Sequence, residues 1–80
     1  MIRKISKVEP YDDHADEVMI ELDNSNFILL DLKSLLRDPR FAEVIRERYL
    51  PLTDGTRVYW QNGVSLTLKE IVSLVRAESN

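Results

Sequence analysis

The stretch Arg57-Val58-Tyr59-Trp60-Gln61-Asn62-Gly63-Val64-Ser65-Leu66 decides how this chain folds. It holds the single Trp and one of the two glycines. Asn-Gly is a strong hairpin signal, because both residues tolerate the positive φ of a type I′ turn. The stretch therefore reads as two strands joined at Asn62-Gly63, with Trp60, Asn62 and Gly63 as its structural residues. A Trp beside such a turn is a large apolar anchor that closes one end of a small core. Successive strand residues face opposite ways. One of Tyr59 and Trp60 therefore points inward. Trp60 is the better core candidate by its apolar area, which leaves Tyr59 outward beside Arg57.

C-terminal to the hairpin, Thr67-Leu68-Lys69-Glu70 has the form of a capping box, in which Thr67 and Glu70 satisfy each other's backbone donors. Leu68, Ile71, Val72 and Val75 follow at i, i+3, i+4, i+7, which predicts a helix to about Ala77, with Ser79-Asn80 frayed. Leu74 lies off that stripe; it either widens the core face or marks a contact with a second copy. N-terminal to the hairpin, Asp54-Gly55 is a further turn, and Leu50 to Thr53 is extended.

Asp38-Pro39 starts a helix: Asp accepts at the N-cap, and Pro at the first helical position needs no N–H. Phe41, Val44, Ile45 and Arg48 or Tyr49 follow at helical spacing, with a short helical turn over Lys33 to Arg37 before them. Phe27 to Leu32 is apolar on both faces and reads as a central strand, covered on each side by helices or by a second subunit. Asp23-Asn24-Ser25-Asn26 joins it to Glu17–Leu22, where Val18, Ile20 and Leu22 share one face.

Tyr11 to Asp16 reads as a polar, turn-rich loop. Ile2 to Pro10 reads as an opening strand with Ile5 and Val8 in the core. Pro10 either ends the pairing or sits on an edge. The order is β-β-β-α-β-β-α. The fold class is α+β: one small, mostly antiparallel sheet with two helices packed on it, in a single domain over residues 1–80.

Size and composition narrow the function. A chain of 80 residues buries roughly 60% of its unfolded surface. It is 44% hydrophobic and 31% charged, which is globular composition. It has no Cys, so disulfides and thiolate zinc sites are excluded. No run approaches the ~20 apolar residues of a membrane span. Met1-Ile2-Arg3-Lys4-Ile5 lacks the apolar run of a signal peptide and reads as the start of a native polypeptide, which with the absence of Cys gives a cytoplasmic expectation.

The net charge is −3, so nucleic acid has no general electrostatic reason to bind. A basic patch would have to use Arg37, Arg40, Arg46, Arg48 and Arg57, and Arg40 and Arg46 do not share one clean helical face. Between Val8 and Leu32 there is no Lys or Arg, whereas Glu9, Asp12, Asp13, Asp16, Glu17, Glu21, Asp23 and Asp31 are acidic.

Some of these residues resemble a known family. The hairpin with its acidic-polar turn, the strand end Asp31-Leu32, the helix begun by Asp38-Pro39 with Phe41, and above all Val58-Tyr59-Trp60-Gln61-Asn62-Gly63 are similar to the bacterial domain of unknown function 2442. The resemblance runs from about Ile5 to Val72. Three positions depart from the family's pattern: Gln61 stands for a usual Pro, Ser65 for a usual Asp and Val72 for a frequent Tyr. The resemblance implies an α+β fold in a small bacterial cytoplasmic protein. It implies no established activity. Members of that family are sometimes fused to a helix-turn-helix domain or encoded beside another small protein, so the resemblance also implies a toxin–antitoxin-like arrangement as one expectation.

The residues supply little catalytic chemistry. His14 is the only histidine and sits among Asp12, Asp13 and Asp16. A zinc site wants three or four ligands fixed by structure, and a loop fixes them poorly. The reading is therefore a solvated loop histidine, with no metal and no cofactor. The carboxylates do not follow the calcium-loop spacing. Ser6, Ser25, Ser34, Ser65 and Ser73 have no nucleophile-elbow context.

A non-enzymatic protein-interaction or regulatory module is expected, antitoxin-like in a two-protein system. The alternative is a homodimeric accessory domain. Tyr59, Arg57 and Leu74 are the expected interaction surface.

Overall fold

The α+β expectation holds, with the strands divided between two antiparallel three-stranded sheets. In the computed structural model, residues 4–78 are described. The first sheet holds β1 (Ile5–Tyr11), β2 (His14–Leu22) and β3 (Phe27–Asp31), in that order. A 3-10 turn (Leu32–Leu35) and helix α1 (Pro39–Glu47) follow. The second sheet holds β4 (Leu52–Thr53), β5 (Arg57–Tyr59) and β6 (Ser65–Thr67), and α2 (Leu68–Glu78) closes the chain. The extended Leu50–Thr53 segment thus contributes a sixth strand that pairs with β5. The expected opening at Ile2 and the fraying of Ser79-Asn80 lie outside the described residues.

The caps form as their residue types require. Asp38 Oδ1 accepts from the Arg40 N–H at 2.9 Å at the start of α1, with Pro39 at the first helical position. The Glu70 carboxylate accepts from the Thr67 N–H at 2.9 Å, and the Thr67 hydroxyl accepts from the Glu70 N–H at 3.2 Å. Helix α1 stops because Arg48 turns left-handed, at φ 55°, and its N–H and that of Tyr49 close on carbonyls of the last turn.

The core is Ile5, Val18, Ile20, Leu22, Leu30, Leu32, Phe41, Val44, Val58, Trp60, Val64, Leu66 and Ile71. Trp60 is 1% exposed, as expected, and meets Phe41 edge to face with centroids 5.7 Å apart. Its Nε1–H has no hydrogen-bond partner among the described residues. An unmade bond of this kind costs about 1–3 kcal/mol. Burying an indole of ~200 Å² is worth on the order of 5 kcal/mol, so the ring stays inside.

Three expectations are corrected. First, Asn62-Gly63 does not make a type I′ turn: Gly63 has φ 87°, but Asn62 does not have positive φ. The Gly63 N–H donates to Trp60 O at 3.0 Å and the Trp60 N–H to Val64 O at 3.1 Å. This is a three-residue loop with the left-handed position last. It lets the Asn62 amide donate to Arg40 O (3.0 Å) and Glu43 Oε1 (2.8 Å), tying the hairpin to α1. The loop Asp23-Asn24-Ser25 repeats the same bonds, with Ser25 at φ 70° in the glycine's place.

Second, the type I′ geometry belongs to Asp12-Asp13, at φ 52° and 60°, since Tyr11 pairs with His14 across two residues. Short acidic side chains tolerate this region. The segment read as a loop is thus mostly strand, and His14 opens β2. Third, Phe27–Asp31 is not central: β2 is, and β3 is an edge. Pro10 lies in the other edge strand, beside a register shift.

Two outcomes follow. A Cβ on Gly63 would meet nothing within 4 Å, so Gly63→Ala costs only the backbone conformation, about 1–2 kcal/mol. Ser25→Gly relieves the same strain and stabilises by roughly 0.5 kcal/mol; urea unfolding of both variants checks the opposite signs. Asn62→Ala lowers stability by about 1–3 kcal/mol, and a double-mutant cycle with Glu43→Ala gives a positive coupling if the Asn62 amide holds α1 as described.

Candidate functional site

Strand alternation sorts the first sheet into two faces. Val18, Ile20 and Leu22 of β2 go inward, while Glu17, Met19 and Glu21 go outward. Across β3 these outward residues meet Asp31, Leu29 and Phe27 respectively. From β1, Lys7 stands opposite Glu21 and Glu9 opposite Met19. Phe27 is 61% exposed and Leu29 47%. The outer face is therefore an apolar stripe, Met19-Leu29-Phe27, framed by the carboxylates of Glu9, Glu17, Glu21 and Asp31. Lys7, the cation of this face, already pairs with Glu9 at 3.5 Å.

The outer backbone of Phe27 and Leu29 has no partner among the described residues. Leu22 and Asn26 are a hydrogen-bonded pair, since the Leu22 N–H donates to Asn26 O at 2.8 Å. Bonded and non-bonded pairs alternate along an antiparallel ladder. The N–H and C=O groups of Phe27, Leu29 and Asp31 consequently point away from β2. Among the described residues, no other strand or loop bonds to those of Phe27 and Leu29, whereas the Asp31 carbonyl caps the 3-10 turn that follows and leaves only its N–H.

The surface expected from the sequence lies elsewhere. Arg57 and Tyr59 face outward from β5, on either side of buried Val58. Tyr59 is half-buried between Leu52 and Ser65 in the pairing. Leu74 is half-buried and packs on the core, so it widens the core face of α2. Arg57 donates to Asp54 Oδ2 at 3.3 Å. Asp54 also accepts from the Thr56 N–H at 3.0 Å and the Thr56 hydroxyl at 2.8 Å. Bonds from Thr56 first, and then from Arg57, hold its carboxyl down at about 2.

His14, Asp16 and Glu17 converge, each offering a ligand atom within 4.8 Å of the others. The cause is local. Tyr11 pairs with His14 and Pro10 with Val18, so Ala15, Asp16 and Glu17 bulge from the ladder with β1. Consecutive residues can then reach one side, which strict alternation would forbid. His14 is exposed and Asp16 half-buried, and Asp16 also pairs with Lys33 Nζ at 3.5 Å. Glu17 lines a cavity with Pro10, Tyr49, Leu50 and Pro51, but His14 does not line it. No described helix is long and apolar enough to cross a membrane.

The β3 edge escapes the sequence reading, which sets His14 beside Asp16 aside as a solvated loop residue because the segment reads as a loop rather than as strand. Nothing in Phe27-Ile28-Leu29-Leu30 says which apolar face is covered, and nothing in Ala15-Asp16-Glu17 announces a bulge. The acid-only run between Val8 and Leu32 was the one available signal.

Asp54 gives a pH dependence. Its folded value lies below the ordinary 3.8, so its bonds stabilise the turn above that pH. The contribution is lost as pH falls through about 2. The stability difference between wild type and Asp54→Asn therefore shrinks across that window, measured by urea unfolding at a series of pH values.

Comparison with known protein families, curated proteins and solved structures finds no match for this chain.

Proposed function

We propose that the protein is a non-enzymatic interaction module that captures an extended, basic segment of a partner protein along β3. The observation that carries the reading is the free outer edge of β3, with Phe27 and Leu29 exposed beside it. A strand added there would gain main-chain bonds from Phe27 and Leu29 and from the Asp31 N–H, and apolar contact with the Met19-Leu29-Phe27 stripe. Charge selects the partner: Glu9, Glu17, Glu21 and Asp31 favour Lys or Arg at alternating positions and steer their approach.

The same charges disfavour a second copy of this chain, which would bring a further acidic edge against this one. The homodimer is therefore the weaker reading. An antitoxin-like or regulatory role in a two-protein bacterial system, in the cytoplasm, fits a module of this kind. The resemblance to the domain of unknown function 2442 points the same way.

The experiment uses two synthetic heptapeptides, one alternating Lys with Val and one alternating Glu with Val. The Lys peptide is expected to slow amide exchange at Phe27, Leu29 and Asp31 and to shift their NMR signals. Leu29→Lys should weaken it by about tenfold or more, because charge and apolar contact are lost together. Equal binding of both peptides, or shifts away from β3, would overturn the reading. So would protection of the same amides by concentration alone, which would mark a dimer.

A further inference from the structure

We propose that His14, Asp16 and Glu17 form a binding site for a divalent transition-metal ion, zinc being the best match. The three side chains come from one bulged segment of β2, and their ligand atoms lie within 4.8 Å of one another. One imidazole nitrogen and two carboxylate oxygens are a borderline donor set that suits zinc rather than calcium or magnesium, which prefer oxygen alone. Three protein ligands leave a fourth position for water or for a group from another molecule.

Strand geometry fixes the set. His14 is held in register by its pairing with Tyr11 across the two-residue Asp12-Asp13 turn. Glu17 is held by its pairing with Asp31 on β3. Asp16, between them, is drawn to Lys33, whose ammonium lies 3.5 Å from its Oδ2. Asp12 adds further negative charge, 3.9 Å from His14 Nε2. The cluster thus attracts cations already, and Lys33 must give way to the ion. Its side chain is 61% exposed, so its ammonium leaves without losing a buried position. The bound ion would cross-link the two ends of the bulge and stiffen the β1–β2 hairpin.

His14 is the only histidine and there is no cysteine, so the chain holds no competing nitrogen or sulfur site of ordinary zinc affinity. That makes the test direct. Zinc chloride is titrated into the protein in a non-coordinating buffer, followed by calorimetry and by the imidazole signals of His14. The expected result is saturable binding of one ion, together with a rise in thermal midpoint that follows ion concentration. His14→Ala, Asp16→Asn and Glu17→Gln should each weaken binding at least about tenfold. All three positions reach the surface, so circular dichroism should show the variants folded. Absence of saturable binding would overturn the proposal. It would also be overturned if His14→Ala alone mattered, since that outcome describes a lone surface imidazole rather than a built site.

Discussion

The burial of Trp60 against Phe41 is the contact on which the rest of the structure depends. An 80-residue chain without disulfides must find its stability in a few large apolar side chains, and Trp60 is the largest of those fully buried. It sits at the end of β5, where the hairpin turns. Its position therefore sets how the β5–β6 hairpin meets α1. Asn62, two residues on, completes the join by donating to Arg40 O and Glu43. The Ile5 N–H then donates to Gly55 O at 2.8 Å and connects the first sheet to the second. Packing, turn and inter-sheet bond follow one another along a short path.

That path uses up the helices. Helix α1 packs toward β2 and the 3-10 turn, with Phe41 and Val44 inward. Helix α2 packs toward β6 and β3, with Ile71 inward. Both serve the core face of the sheets. No third helix remains in the described residues for the other face of the first sheet, so Phe27 and Leu29 stand in solvent. The exposed stripe is a consequence of a small chain spending its amphipathic elements on a single core.

Much of the fold was legible because it is written in local chemistry. Asp38-Pro39 and Thr67–Glu70 specify their caps by residue type. Val18, Ile20 and Leu22 specify the inward face by period, and the Trp60–Tyr59 choice follows from area. The remainder depends on neighbours that period does not report. Leu29 and Leu30 are equally apolar, yet one is buried and the other exposed, and only strand order distinguishes them. Asn62 tolerates the left-handed region but was not placed there, because its side chain is better satisfied reaching α1. The Asp12-Asp13 turn took the geometry that the Asn-Gly pair had suggested. It also moved His14 from a loop onto a strand, where a bulge brings it to Asp16 and Glu17.

The two edges of the first sheet show why β3 rather than β1 is read as a docking strand. Exposed edges invite pairing with other chains, and proteins blunt them with proline, lysine and bulges. The edge strand β1 has all three: Pro10, Lys7, and register shifts at both Ile5/Lys7 and Pro10/Tyr11. Its start is further engaged by Gly55. The edge strand β3 has none of them. It runs in unbroken register from Phe27 to Asp31 with no lysine or proline, and its apolar side chains are left outward. A chain that protects one edge of a sheet and leaves the other regular and apolar has, in physical terms, a strand prepared for pairing. The acidic residues around it limit that pairing to partners that carry the opposite charge.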